Sequence, residues 1–143
     1  MGLNPEQKVY PYLAYEDAPA AIDFLCKAFG FEERFRMPMP DGRLGHAELS
    51  LAGTVIMLAS VYREMGHASP RSLGATHSQV LFYVDDVDAH FERAREAGAI
   101  IAAEPEDQPH GARQYRAVDP EGHRWIFSTQ LREVPLEDLK PPE

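Results

Sequence analysis

The sequence predicts an α+β fold of two βαβββ modules that together form a cupped antiparallel or mixed sheet with helices on its outer face. Three observations carry this expectation. The stretches "LAYEDAPAAIDFLCKAFGFEE" and "LFYVDDVDAHFERAREAGAII" follow one plan: an alternating run, an acidic residue, an amphipathic segment and a glycine. Their acidic residues, Asp17 and Asp86, stand 69 positions apart and their glycines, Gly30 and Gly98, stand 68 apart, so the spacing repeats along with the plan. Three short alternating runs then follow each stretch.

Each element has a local reason. Between Val9 and Ala14, the residues Val9, Pro11 and Leu13 alternate with Tyr10, Tyr12 and Ala14, the period of a strand. Asp17 is placed to accept the orphan N–H groups of a first helical turn, Pro19 is tolerated there, and Gly30 suits the left-handed stop. Ile22, Leu25, Cys26 and Phe29 form the apolar stripe between them. Strands are expected at Phe31–Met37, Leu44–Leu51 and Thr54–Ser60, with turns at "PDGR" and "LAGT". The second half repeats the order. A strand opening at Gln79 leads to Asp86, a stripe of Val87, Phe91, Ala94 and Ala97, and a stop at Gly98. Strands follow at Ile100–Glu104, Ala112–Val118 and His123–Thr129, the last two joined by "DPEG". The chain is thus one domain over 1–143, with a first module at about 8–60, a connector at 61–76, a second module at about 77–130 and a loosely held tail at 131–143.

A sheet covered by helices on one face leaves the other free to curve around a ligand. Alternation sends Tyr10, Tyr12 and Ala14 to that open face, then His46, Glu48 and Ser50, then Val55, Met57 and Ala59. From the second module come Gln79, Leu81 and Tyr83, and Arg124, Ile126 and Ser128. His123 falls on the other side, with Trp125, and is expected to serve the turn structurally by donating to a carbonyl or carboxylate. The run "YREMGHASPRSLG" reads as a lid or a partly disordered connector. The loop "EPEDQPHGARQYR" offers His110, Arg113, Tyr115 and Arg116, which could close over an anion or stand as exposed charge.

A net charge of −9 and a pI near 5.1, with the basic residues scattered, argue against nucleic acid and anionic membrane surfaces. The single cysteine, Cys26, excludes an intramolecular disulfide and a Cys-rich zinc site, and its place in an apolar stripe suggests a small buried thiol. No apolar run approaches the length of a membrane span and the N-terminus has no signal-like apolar core, so a cytoplasmic location is expected.

The doubled unit, with "YEDAPAAIDFLCKAFGF", "YVDDVDAHFERAREAGA", "GHAEL" and "DPEGHRWIF", resembles the vicinal oxygen chelate superfamily. That group includes glyoxalase I, extradiol dioxygenases, and fosfomycin and bleomycin resistance proteins; the wording is most similar to the phosphonate-operon-B-like or bleomycin-resistance-like subgroup. The resemblance implies metal ligands on the first and last strand of each module, at Tyr10, Met57, Gln79 and Ile126. Isoleucine has no donor atom and a thioether is a poor partner for hard or borderline divalent ions. No metal and no cofactor are therefore expected.

The resemblance then implies a metal-free small-molecule-binding protein, paired as a homodimer with cavities shared between subunits. Tyr10, Tyr12, Tyr83, Met57, Leu81 and Ile126 would supply apolar and aromatic walls, and Gln79, Arg124, His46 and Glu48 the orienting polar groups. No catalytic residue is assigned. The alternative is a metal-dependent lyase or isomerase with a relocated site around His46 and Glu48, which share a strand face and could recruit His77 or a tyrosine.

Overall fold

Two four-stranded mixed sheets, each built by one βαβββ module, form the framework, and a computed structural model describes them over residues 6–141. The first module runs β1 (Tyr12–Tyr15), α1 (Ala18–Phe29), β2 (Glu32–Pro38), β3 (Leu44–Leu51) and β4 (Thr54–Ser60). A short helix α2 (Pro70–Leu73) lies in the connector. The second module follows as β5 (Gln79–Tyr83), α3 (Val87–Glu96), β6 (Ile100–Asp107), β7 (Ala112–Val118) and β8 (Arg124–Gln130). The strand orders β1-β4-β3-β2 and β5-β8-β7-β6 are identical in plan: the first strand of each module pairs parallel with its last, and the other pairings are antiparallel. Of the tail expected to be loosely held, 131–143, residues 131–141 are described and include a 3₁₀ turn at Leu136–Asp138, while 142–143, like 1–5, lie outside the described residues.

The helix boundaries follow from side-chain chemistry. Asp17 Oδ1 accepts the Ala20 N–H at 3.1 Å, and Asp86 Oδ1 accepts the Ala89 N–H at 3.1 Å. Gly30 ends α1 at φ 82°, in the left-handed region. β6 runs to Asp107, three residues beyond its expected end, although it contains Pro105. It is an edge strand with shifted pairing to β7, so the missing proline N–H disrupts no interior ladder. The connector is more regular than expected, with a 3₁₀ turn at Arg63–Met65 ahead of α2.

The two modules share one core. Phe29, at the end of α1, packs 5.5 Å from Trp125 and 4.8 Å from Phe127 of β8, and Phe31 meets Phe82 of β5 edge-on at 5.3 Å. Each such ring, taken fully out of water, contributes on the order of 2–3 kcal/mol. The helices are also tied to each other: Arg93 of α3 donates to the Lys27 and Cys26 carbonyls at the end of α1 (2.9 and 3.0 Å), capping that terminus with a cation from the other module. Cys26, expected to be buried, is only half-buried beside this cap.

Candidate functional site

The site is built by strand register. On the face of the first sheet turned away from α1, Tyr12 pairs with Met57, Met57 with Glu48, and Glu48 with Phe35, so one row crosses all four strands. Beside it, Ala14 pairs with Ala59, and Met37 with His46. A cavity of about 540 Å³ opens here. Its floor is Tyr12, Ala14 and Ala59, its side is Met37, Met39 and Gly45, and Tyr62, Met65 and His67 of the connector cover it. Arg43 holds that cover: its guanidinium pairs with Asp41 and Glu64 and lies 3.8 Å from the centre of the Tyr62 ring.

Three polar side chains stand together at the cavity wall. Tyr12 Oη lies 2.7 Å from His46 Nδ1, and His46 Nε2 lies 2.8 Å from Glu48 Oε2. Glu48 is 0% exposed, while Tyr12, at 55% exposed, reaches the cavity. Burial first, then the Glu48 charge and Tyr62, raises the Tyr12 phenol above its ordinary range, so it keeps its proton at neutral pH.

Of the ten residues expected to bind ligand, Tyr12 lines this cavity, His46 and Glu48 join it by hydrogen bonds, and Met57 shares their row. Tyr10 precedes β1 and is not part of the lining. Gln79, Leu81, Tyr83, Arg124 and Ile126 belong to the other sheet, where Leu81 and Tyr83 are exposed and Ile126 is buried. Arg124 borders a separate cleft of about 290 Å³ with Arg71 and Glu121. The methionine wall was missed, although apart from Met1 every methionine falls between positions 37 and 65. Such a cluster of flexible, polarisable side chains suits an adaptable apolar surface.

Two other expectations change. The Tyr115 side chain does not close over an anion: it is fully buried, and its hydroxyl lies 2.6 Å from His90 Nδ1. Arg113 of the same strand is held by Asp88 and Asp107. An apolar environment on the helix side claims the ring, which the polar wording around it concealed. His123 is structural, as expected, but its Nε2 donates to the Ala14 carbonyl of β1 at 2.9 Å, across the two modules.

The "DPEGH" turn is the main joint between modules. Asp119 accepts from the Tyr15 hydroxyl (2.6 Å), the Trp125 indole (3.2 Å) and the Glu121 and His123 N–H groups. Glu121 accepts from the Glu16 and Asp17 N–H groups and from the Ser69 hydroxyl. Both carboxylates are buried and fully engaged, which makes them parts of the scaffold.

The positions at which a superfamily metal would be held do not fit one. Met57 and Ile126 cannot supply hard donors, and Tyr10 and Gln79 do not replace them. Among the described residues, no group of three or more His, Cys, Asp or Glu side chains is arranged so that it could hold a metal ion.

Comparison with known proteins agrees with the fold. A profile described as "Glyoxalase/Bleomycin resistance protein/Dioxygenase superfamily" matches residues 9–127. An uncharacterized protein of Mycobacterium bovis is 40% identical, the alignment covering 98% of this chain and 94% of the relative. The crystal structure of TioX from Micromonospora sp. ML1 superposes with a TM-score of 0.69 at 34% identity, covering 90% of this chain and 100% of the other. FosX, a fosfomycin resistance protein from Listeria monocytogenes, superposes at 0.63 with 20% identity, over 93% and 97% of the two chains, a likeness of fold alone.

Proposed function

Since the chain belongs to the glyoxalase/bleomycin resistance/dioxygenase superfamily, we propose that it is a small-molecule-binding protein that holds its ligand in the concave face of the first module without a resident metal. The observation that carries this reading is the 540 Å³ cavity, a volume in the range of small-molecule sites, walled mainly by methionines and tyrosines with the Tyr12–His46–Glu48 cluster at one side and His67 in the connector. The metal-free part rests on the donor chemistry at Tyr10, Met57, Gln79 and Ile126. No helix among the described residues is long and apolar enough to cross a membrane, and the acidic net charge favours a neutral or cationic ligand over an anionic one.

The working unit in this reading is a homodimer. The cavity is lined by the first module and connector alone, while the second module leaves Leu81 (46% exposed) and Tyr83 (54% exposed) on its open face. A second copy laying that face over the cavity would bury both side chains and bring Gln79, Arg116 and Arg124 to its rim. Sedimentation of the wild type against Tyr83→Asp tests this: a dimer that dissociates in the variant supports it, and a wild-type monomer overturns it.

The His46–Glu48 pair supports a second reading, a metal-dependent lyase or isomerase centred on those residues. The deciding measurement is metal retention after incubation with zinc, nickel, manganese or ferrous iron and desalting. Stoichiometric metal that is lost in Glu48→Ala selects the second reading. No retention, together with thermal stabilisation by members of an apolar small-molecule library, selects the first.

A further inference from the structure

The hydrogen-bond chain at the cavity wall has a direction, and the direction limits what can bind. With Glu48 as a carboxylate, which only accepts, the proton between the pair, 2.8 Å apart, is assigned to His46 Nε2. In that tautomer Nδ1 is bare and can only accept, so Tyr12 donates its single hydroxyl hydrogen to His46 at 2.7 Å. What Tyr12 presents to the cavity is an oxygen with lone pairs and no hydrogen left to give. Glu48 is 0% exposed, so the element that sets this polarity is out of reach of solvent.

We infer that the cavity selects ligands that bring a hydrogen-bond donor, a phenol, amide N–H or amine on an otherwise apolar body, and disfavours ligands whose only polar group is an acceptor. This deepens the proposed binding function and rests on it. The rest of the wall fits such a molecule. Met37, Met39 and Met65 offer no donor and only weak acceptors, and the other polar lining side chains, Tyr62 and His67, belong to the connector, so on the sheet side of the cavity Tyr12 is where a polar head group is read. An acceptor-only ligand would lose its bond to water and face a lone pair instead, whereas a donor replaces water at Tyr12 without loss.

The test uses 2-naphthol and 2-methoxynaphthalene, which share a fluorescent apolar body and differ in one donor hydrogen. Binding is followed by fluorescence anisotropy at about pH 8, where an imidazole is ordinarily neutral. We expect 2-naphthol to bind about tenfold more tightly to the wild type, the effect of one satisfied against one frustrated hydrogen bond. In Tyr12→Phe the ratio should fall towards one, because 2-naphthol loses its acceptor and the ether no longer faces a lone pair. In His46→Leu, Tyr12 regains a free hydrogen and the ratio should fall because the ether now binds better; thermal melts establish that both variants are folded. Equal binding of the two probes to the wild type overturns the inference and leaves the binding function standing. Failure of both probes to bind overturns the inference and the proposed cavity function together.

Discussion

Across the open face of the first module the central row reads Tyr12, Met57, Glu48; at the same lattice positions in the second it reads Leu81, Ile126, Arg116. The folding unit is the same, yet a buried carboxylate stands where its counterpart has an exposed arginine, and Tyr62, Met65 and His67 of the connector line the cavity on the first face. The turns between the third and fourth strands differ as sharply. In the first module this turn is Ala52–Gly53, two residues with no polar side chain. In the second it is the "DPEGH" turn, whose carboxylates bind β1, the start of α1 and the connector. One module carries the cavity and the other carries the joint, so changes at equivalent positions should have very different consequences.

The largest effect should come from the joint. Asp119→Ala removes the acceptor of four hydrogen bonds and leaves the Tyr15 hydroxyl and Trp125 indole buried without partners. We expect a loss of about 3–5 kcal/mol in urea denaturation, the range for breaking a buried charged network by deleting one member. The first-module turn offers no comparable side chain to delete. A loss below about 1 kcal/mol would mean that the joint adds little to stability and that the shared aromatic core alone holds the modules together.

Next is the helix contact. His90 donates from Nε2 to the Phe29 carbonyl at 2.7 Å and accepts at Nδ1 from Tyr115, so both ring nitrogens are committed in the neutral form. Burial lowers its pKa, the Phe29 hydrogen bond opposes that, and Arg93 adds to it. The folded state therefore binds fewer protons than the unfolded chain, whose imidazole titrates near 6.5. The stabilisation is present above that value and is lost as pH falls from it towards the lower folded pKa. His90→Phe should cost about 1–3 kcal/mol at neutral pH by orphaning two buried partners, and should flatten the decline in melting temperature below about pH 6.5. An unchanged decline would place the acid sensitivity elsewhere.

Much of this architecture was legible in the sequence, because alternation and helix caps are local signals. The repeat, both N-cap aspartates and the open-face positions of His46 and Glu48 can be read within a few residues of each. What could not be read depends on contacts far apart in the chain. Tyr12 meets His46 only because β1 and β3 flank β4, and Tyr15 meets Asp119 across 104 positions. Tyr115 was hidden for a different reason: its neighbours are polar, yet it alternates onto the helix side of β7, where Phe91 and Phe127 surround it. The connector reads from sequence as either a lid or a partly disordered segment, and the contacts that decide between these come from Arg43 in another hairpin.

The cavity should respond in binding more than in stability. A Cβ at Gly45 would stand 2.8 Å from Met39 Sδ and 3.1 Å from Met37 Cε, both ends of flexible side chains. Gly45→Val should push these methionines into the cavity, weakening 2-naphthol about tenfold while changing unfolding free energy by less than about 1 kcal/mol. Full-strength binding in this variant would place the ligand outside the methionine wall.

The smallest effect tests the contrast between the two turns. Ala52 holds φ at 50°, a left-handed conformation that costs a side chain on the order of 1 kcal/mol. Ala52→Gly should relieve that strain at an open hairpin tip and raise stability by up to about 1 kcal/mol, less the entropy that glycine gains in the unfolded chain. The glycine of the other turn, Gly122, holds φ at 94° and its missing Cβ would stand 3.1 Å from Pro70 Cβ in α2. Gly122→Ala should therefore destabilise, since it adds both the backbone penalty and a collision with the connector. If Gly122→Ala left the melting temperature unchanged or raised it, the second turn would not be pressed against α2 in solution, and the joint would be looser than its hydrogen bonds imply.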